Sequence, residues 1–549
     1  MLPRLCNICQ RNFNPSRVIL RKYSAQLSHS SVEEISEEEF ERKLKNPEKK
    51  KVPIITCKRS EFNFYKGQTY PKFQEIPLAS KGWMHKEARG DYFTIHPPEE
   101  NIEDGMPNDV TFHDLGIHQD LIDNLKNHFR IETPTTIQQK GIPKILNYQN
   151  TKLAAETGCG KTLAYLLPLV SQVLNWKMAV NRKFNHPLAL IITPSRELAI
   201  QIGKEANKLT RNLNVRTKVV VGGGIRKKVN NPSVSDVDII VATLGGLSKL
   251  TTLGIYNMNF VRHVILDEAD SLFDETFYDK LRHFLRKISF GPLAQFKNNF
   301  PKFAQLTLVS ATMPQHLEEI LQDIVDPSSL EEVTTNKLHR IYVPQKFLRL
   351  GPQQKPMALL KLIKKKAANK CPIIIFSNDS VTCDYVSMLL HEFNVRNIHL
   401  NGQMSIFRRK GKFEEFQTGR YNVLCTTDAG SRGLDTIIAR DVINYDFPLQ
   451  TVEYIHRCGR TARVGSPKDC RVVNFVAHPL EIILTQKIEK ATRSMKPLPM
   501  LDYLKRNWVP EEEEEARSRP DNLSDYSEKD LKSIIEEPDI QEMVEVNEK

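Results

Sequence analysis

From about Val110 onward, short apolar runs alternate with stretches whose apolar residues recur at helical spacing. Leu188–Ile192, Val219–Val221, Ile239–Val241, Val264–Leu266 and Leu306–Val309 lack the polar alternation of a half-exposed strand. Runs of this kind, separated by helices, predict a parallel sheet covered on both faces. The pattern restarts with Ile373–Phe376, Asn397–Leu400, Val423–Cys425, Val442-Ile443 and Val472–Val476. Two α/β units follow, over 110–334 and 347–508. Residues 335–346, which include Pro344, form the expected linker. Residues 24–109 carry an acidic block, Glu33–Glu41, then a basic one, Lys43–Lys51, and then recurring prolines. They show no repeat and no catalytic spacing, and are expected to be largely irregular. A charged tail occupies 509–549 and has the composition of a disordered segment.

Composition sharpens this picture. A chain of 549 residues with 40% hydrophobic and 26% charged residues builds several globular cores. It has no apolar run of about 18 residues or more, so no membrane partner is expected. Lys+Arg exceed Asp+Glu by 12, but unevenly: Pro510–Lys549 holds 15 acidic and 5 basic residues, leaving a net of +22 on the rest. A basic body with an acidic tail points to a polyanionic partner, nucleic acid first. Nine scattered cysteines argue for a reducing compartment, and the Cys6/Cys9 pair lacks the further ligands a zinc site needs. Residues 1–23 contain Arg4, Arg11, Arg17, Arg21 and Lys22, and the first acidic residue is Glu33. This reads as a mitochondrial transit peptide, with a processing-like site after Tyr23, and places the protein in the mitochondrial matrix. The alternatives are the nucleus or nucleolus and the cytoplasm.

Three motifs carry chemistry. Ala155-Glu156-Thr157-Gly158-Cys159-Gly160-Lys161-Thr162 follows an apolar segment and opens the helical run Leu163–Leu174. Small residues let backbone N–H groups surround phosphate, Lys161 reaches the β/γ-phosphates, and the Thr162 hydroxyl meets Mg²⁺. Asp267-Glu268-Ala269-Asp270 ends an apolar strand, where an NTPase holds Mg²⁺ through Asp267 and polarises water with Glu268. Alone it would be an acidic capped turn; the upstream phosphate loop favours the catalytic reading. Arg457, Arg460 and Arg463 recur at spacing three on one short helical face, from which guanidiniums can stabilise a transferring phosphoryl group. The catalytic candidates are Lys161, Asp267, Glu268, Arg460 and Arg463.

In this order, Gly-Lys-Thr, Asp-Glu-Ala-Asp and His456-Arg457-Cys458-Gly459-Arg460-Thr461-Ala462-Arg463 resemble the DEAD-box RNA helicases. The resemblance runs from about Thr111 to Phe475 and implies two tandem RecA-like domains, ATP and Mg²⁺ as ligands, and RNA as partner. It implies that Phe112 stacks on adenine and Gln138 pairs with it, and that Gly433 and Asp435 complete the nucleotide site. It assigns RNA contacts to Pro194, Arg196, Gly222, Gly223, Thr243, Arg409 and Thr426, and coupling of hydrolysis to closure to Asp270, Ser310, Thr312 and His456. Departures stand at Gly246, where the family has arginine, and at Ile406, where it has glutamine. They leave the ATP machinery intact, and open the alternative of an ATP-gated RNA clamp or assembly scaffold with little unwinding. Phe347–Leu350, Asn401–Met404, Asn444–Pro448 and Gln486–Glu489 further resemble the mitochondrial branch linked to large ribosomal subunit assembly. That resemblance implies ribosomal RNA as target, ribosome-assembly proteins as partners, no preference for DNA, and a monomeric enzyme within larger assemblies.

Overall fold

The computed structural model describes residues 53–65, 68–71, 74–97, 110–222, 236–273, 275–291, 295–313, 317–335, 343–368, 370–409, 411–428, 436, 438–463, 466–467, 469–496 and 498. The expected transit peptide and acidic tail, and candidates Gly223, Gly433 and Asp435, lie outside these residues. The strands, in chain order, are β1 (Ile54–Cys57), β2 (Tyr92–His96), β3 (Thr151–Ala154), β4 (Ala189–Thr193), β5 (Thr217–Val220), β6 (Ile239–Thr243), β7 (His263–Asp267), the short pair β8 (Phe296–Lys297) and β9 (Phe300–Pro301), β10 (Gln305–Ser310) and β11 (Glu331–Thr334). The second series is β12 (Gln345–Arg349), β13 (Ile373–Phe376), β14 (Ile398–Leu400), β15 (Val423–Thr426), β16 (Asp441–Asn444) and β17 (Arg471–Val476).

The first sheet is parallel, in the order β11-β3-β10-β7-β4-β6-β5. Its central strands β4, β7 and β10 are buried along their whole length, with apolar clusters on both faces, which is why they lack alternation in the sequence. All C-terminal strand ends lie on one edge, and this edge is divided. The ends of β3, β10 and β7 lead into residues 155–160, 311–313 and 268, whereas those of β4, β6 and β5 lead into residues 194–195, 244 and 221–222. Ligand sites in open α/β sheets form at such edges.

The second sheet orders its own strands β12-β17-β16-β13-β15-β14, all parallel. Two more strands come from the N-terminal extension. The antiparallel hairpin β1-β2 adds to the free edge of β12, with Phe93 opposite Phe347 and their rings stacked 4.7 Å apart. The extension is therefore part of the second core from Ile54 to His96, not an irregular appendage. Polar groups lock it in place. Glu489, on the helix Pro479–Arg493, accepts hydrogen bonds from the backbone N–H of Ala79 (2.8 Å) and Ser80 (3.1 Å) and from the Ser80 hydroxyl (2.5 Å). Its ion partner Arg493, 2.8 Å away, donates to the Phe62 carbonyl at 2.6 Å and to the Tyr70 hydroxyl at 3.2 Å. Arg349, also buried, donates to the Trp83 carbonyl at 2.7 Å. A buried charge pair persists where both ions keep their hydrogen bonds, as here. β12 also shortens the expected linker, since it begins at Gln345. The chain thus crosses between the two bodies twice, after residue 97 and after residue 335.

Candidate active site and RNA-facing surface

The phosphate loop joins β3 to the helix Lys161–Ala179. Gly158 and Gly160 have φ of +82° and +94°, a region that favours glycine. The Ala155 N–H donates to the Ser310 carbonyl at 3.2 Å, tying the loop to the end of β10. The Lys161 ammonium donates to the Ala155 and Glu156 carbonyls at 2.6 and 2.7 Å, so its charge is held against the loop at the helix N-terminus. Burial pushes the Cys159 thiol up to about 11, so Cys159 acts here as a small packing residue. The Thr335 hydroxyl, just past β11, donates to the Glu156 carboxylate at 2.5 Å and ties the start of the interdomain crossing to this loop.

Asp267 ends β7 beneath the loop and is buried. Burial, with the neighbouring Glu268 charge, pushes its carboxyl up to about 6. The Tyr165 hydroxyl donates to it at 2.8 Å. Tyr165 is a site residue the sequence reading missed; the signal was its position one turn after Lys161, on the same helical face. Glu268 has φ +51°, a conformation that costs energy for a non-glycine residue and is characteristic of functional turns. Asp267 and the Thr162 hydroxyl suit a hard divalent cation, and a buried carboxylate of raised pKa is eased by one. Two protein oxygens suffice only where substrate phosphate and water complete the shell, the usual arrangement for Mg²⁺.

The second domain closes the cleft. His456 lies 2.6 Å from Asp270, which also accepts a hydrogen bond from the Thr312 hydroxyl. Burial alone would raise the Asp270 carboxyl, but His456, Thr312 and Ser310 hold it well below the usual carboxylate range. Arg460 reaches Glu268 at 3.5 Å. Arg463 lies over Gly158, where an added Cβ would meet its Cγ at 2.7 Å. The three arginines do not share one face. The helix Thr451–Cys458 stops before Arg460, and Ala462 turns the chain at φ +52°. Arg457 instead points into its own domain, binding Asp428 through two nitrogens (2.8 and 2.5 Å), Asn378 Oδ1 (2.8 Å) and the Asp446 carbonyl (2.7 Å). It is a structural hub, not a finger. The shared cleft has a volume of about 470 Å³, within the range of small-ligand sites. It is lined from one side by Thr157, Lys161 and Glu268 and from the other by His456, Arg460 and Arg463. Gln201, Lys204 and Lys208, on the helix Arg196–Leu209, also line it and carried no motif signal.

Two nucleotide candidates differ from expectation. Phe112 is 1% exposed and packs within the first core, so its ring offers no open face for stacking. Gln138 is buried; its amide donates to the Gly160 carbonyl at 3.0 Å and accepts from the Thr135 N–H at 2.9 Å, so here it braces the phosphate loop.

The RNA candidates of the first domain gather at the ends of β4, β5 and β6. A Cβ on Gly222 would lie 3.4 Å from the Arg196 guanidinium, and one on Gly246 would lie 3.0 Å from the Gly222 backbone nitrogen and 3.3 Å from the Thr243 hydroxyl. Pro194 precedes this helix, partly exposed. The space an arginine side chain would leave from at Gly246 is taken by the 221–222 backbone. From the second domain, Arg409 reaches the same helix and pairs with Glu197 at 2.8 Å; Lys204 and Glu414 approach at 3.4 Å. Thr426 is fully buried, and its hydroxyl donates to the Leu400 carbonyl at 2.7 Å, so that hydroxyl serves the sheet.

Comparison with known proteins agrees with this geometry. Residues 135–320 match the DEAD/DEAH box helicase family and residues 354–465 the helicase conserved C-terminal domain. The chain is 36% identical over 463 residues to the mouse probable ATP-dependent RNA helicase DDX28, covering 82% of this chain and 85% of that protein. It is 31% identical over 357 residues to the ATP-dependent RNA helicase RhlB of Shewanella halifaxensis, covering 64% of this chain and 78% of that one. Among solved structures, S. cerevisiae Dbp5 bound to RNA and ADP BeF3 shares the fold with a TM-score of 0.57 at 23% identity, covering 70% of this chain and 94% of that one.

Proposed function

From the premise that the chain belongs to the DEAD-box family of ATP-dependent RNA helicases, we propose that it remodels RNA by closing two domains around ATP and RNA together, in mitochondrial large ribosomal subunit assembly. The chain is an ATP-hydrolysing RNA helicase with two RecA-like domains. The observation that carries the remodelling reading is the shared cleft. Lys161, Asp267 and Glu268 come from one domain, while His456, Arg460 and Arg463 come from the other. Neither domain has the full set, so hydrolysis requires closure.

Lys161 binds the terminal phosphates, and Asp267 with Thr162 would hold Mg²⁺, which neutralises charge on the phosphates when bound. Glu268 orients the attacking water, and Arg460 and Arg463 stabilise charge developing on the γ-phosphoryl group. RNA backbone lies on Arg196, Gly222, Gly223 and Thr243, with Arg409 approaching from the second domain. Contacts of this kind read phosphate and sugar with little sequence preference. The basic, acid-free N-terminus supports import into the matrix, and the protein acts as a monomer among ribosome-assembly proteins.

A second reading, an ATP-gated clamp with little strand separation, is favoured by Gly246: the missing arginine is replaced by close backbone packing and leaves one cationic contact fewer. Purified protein and an RNA duplex separate the two. ATP-dependent strand release supports remodelling, and ATP-dependent retention alone supports the clamp. Lys161→Ala is expected to abolish RNA-stimulated phosphate release; near-normal turnover would remove the phosphate-loop assignment. Crosslinking and sequencing of bound RNA in cells is expected to enrich mitochondrial large-subunit ribosomal RNA, and enrichment of other RNA would remove the ribosomal role alone.

A further inference from the structure

Glu156 is the one acidic residue of the phosphate loop Ala155–Thr162. A carboxylate is out of place there. The loop N–H groups, the helix N-terminus and the Lys161 ammonium attract anions, so a free carboxylate competes with phosphate for them. The fold turns it aside. Neighbouring strands run in the order β11-β3-β10, and Glu156 follows β3. On the β10 side lies the cleft, lined by Thr157, Lys161, Asp267 and Ser310. On the β11 side lies Thr335, one residue past that strand and 6% exposed, whose hydroxyl donates to the Glu156 carboxylate at 2.5 Å. Thr335 is itself well placed. β11 pairs with β3 so that Thr334 lies opposite Ala154, and the Lys140 ammonium donates to the Thr334 carbonyl at 3.2 Å. Lys161 donates to the Glu156 carbonyl at 2.7 Å, so residue 156 is held toward the cleft by its backbone and away from it by its side chain. The displacement is short. The Glu156 charge still reaches the loop interior, where it adds to burial in raising the Cys159 thiol.

We propose that Thr335 is a positioning residue for ATP binding: its hydroxyl keeps the Glu156 carboxylate on the β11 side, out of the place the triphosphate takes. This rests on the reading of the cleft as the ATP site, and adds to it a residue outside every motif. A hydroxyl-to-carboxylate bond is short and charge-assisted, so it can hold the side chain against the pull of the loop. Valine at 335 would keep the shape and remove the donor. The carboxylate would then turn to the N–H groups and ammonium of the phosphate loop, which are the groups phosphate needs. The penalty falls on binding rather than on the chemical step, because Lys161, Asp267, Glu268 and Arg460 are untouched and nucleotide, once bound, displaces the competitor.

Titration of the full chain with a fluorescent ATP analogue and Mg²⁺, without RNA, tests this. Thr335→Val is expected to weaken binding about tenfold, the scale of one hydrogen bond to a charged group. In RNA-stimulated phosphate release it is expected to raise KM for ATP by the same factor and to leave kcat within about twofold. Thr335→Ser, which keeps the hydroxyl, is expected to bind as the unsubstituted chain does. Glu156→Asp, which keeps the charge but shortens its reach, is expected to lose affinity as Thr335→Val does. Combining Thr335→Val with Glu156→Gln is expected to regain it, because the competitor is then uncharged; a purely structural role for Thr335 would not be mended at residue 156. Full affinity in Thr335→Val overturns the proposal. So does a loss that Glu156→Gln does not relieve, and so does a fall in kcat at unchanged KM. Lys161→Ala separates the premise from the inference. Tight binding by Lys161→Ala removes the ATP-site reading, whereas weak binding by Lys161→Ala with full affinity in Thr335→Val removes the inference alone.

Discussion

Glu489→Gln tests whether the N-terminal extension is part of the second domain. The carboxylate has no solvent exposure and meets five donors: the N–H groups of Ala79 and Ser80, the Ser80 hydroxyl, and two nitrogens of Arg493. Glutamine keeps the shape but turns one oxygen into a donor. That NH₂ faces either the Arg493 guanidinium or the Ser80 N–H, and in both cases donor meets donor. The guanidinium, held in the dry interior by the Phe62 carbonyl and Tyr70 hydroxyl, also loses its counter-charge. Breaking a buried pair from one side costs about 3–5 kcal/mol. The extension joins the sheet at its edge, through β2 against β12, and the Glu489–Arg493 pair ties it to the domain, so the cost falls on its docking first. Exchange at Tyr92–His96, where β2 pairs with β12, is expected to accelerate by about two to four orders of magnitude, since 1.36 kcal/mol is tenfold. The exchange of β13 and β16, in the middle of the sheet, is expected to change far less. Equal protection of β2 in the two proteins, with equal urea midpoints, would refute the reasoning, because the pair would then hold nothing that the apolar contacts of Phe93 and Phe347 do not already hold.

Three further outcomes are expected. Gly459 has φ −72°, so a side chain strains no backbone there, but its Cβ would fall on the Thr157 side chain across the cleft; Gly459→Val is expected to spare nucleotide binding, measured by fluorescent-nucleotide titration, and to cut RNA-stimulated phosphate release at least tenfold. Arg460→Ala is expected to leave nucleotide affinity within about threefold and to slow turnover roughly a thousandfold, the scale of an arginine finger; an unchanged rate removes that role. Gly246→Arg is expected to lower stability in urea by about 1–3 kcal/mol through overpacking against the 221–222 backbone, without tightening RNA in an anisotropy titration; tighter RNA at full stability would show that the close packing is not what keeps arginine out.

The strands most legible in the sequence were those buried on both faces. β4, β6, β7 and β13 carry unbroken apolar runs because parallel strands at the middle of a covered sheet meet no water. β3 and β12 escaped for a physical reason. Thr151 and Lys152 open β3, and Gln345, Lys346 and Arg349 leave β12 two apolar residues. Arg349 is buried only because carbonyls of Trp83, Leu350 and Ala477 receive its guanidinium, a circumstance no local pattern announces. The extension was illegible for a related reason: its partners, Phe347 and Glu489, lie hundreds of residues away. Of the site, the motifs located the loop, Asp267, Glu268 and the closing arginines. They could not reveal that Gln138 braces the loop, that Phe112 is enclosed, or that Tyr165 holds Asp267, since each depends on which of several neighbours the fold supplies.

The proposed function implies a route by which RNA and ATP communicate. One sheet edge presents the nucleotide candidates after β3, β10 and β7 and the RNA candidates after β4, β6 and β5, and the second domain touches both halves. On the RNA side, Arg409 meets Glu197 on the helix that begins at Arg196. On the nucleotide side, His456 meets Asp270, whose carboxylate is already engaged by Thr312 from the loop after β10. Ser310, at the end of β10, accepts the Ala155 N–H of the phosphate loop. The contacts between domains are thus continuous with the loop that grips phosphate, and a change at the γ-phosphate has a bonded route to His456. The Asp270–His456 pair is compact and mostly buried, so separating the domains leaves a desolvated carboxylate to be rehydrated, and closing them restores its partner. Under the proposed function, RNA on one half of the edge and nucleotide on the other favour the same closed state, which neither needs to reach by touching the other.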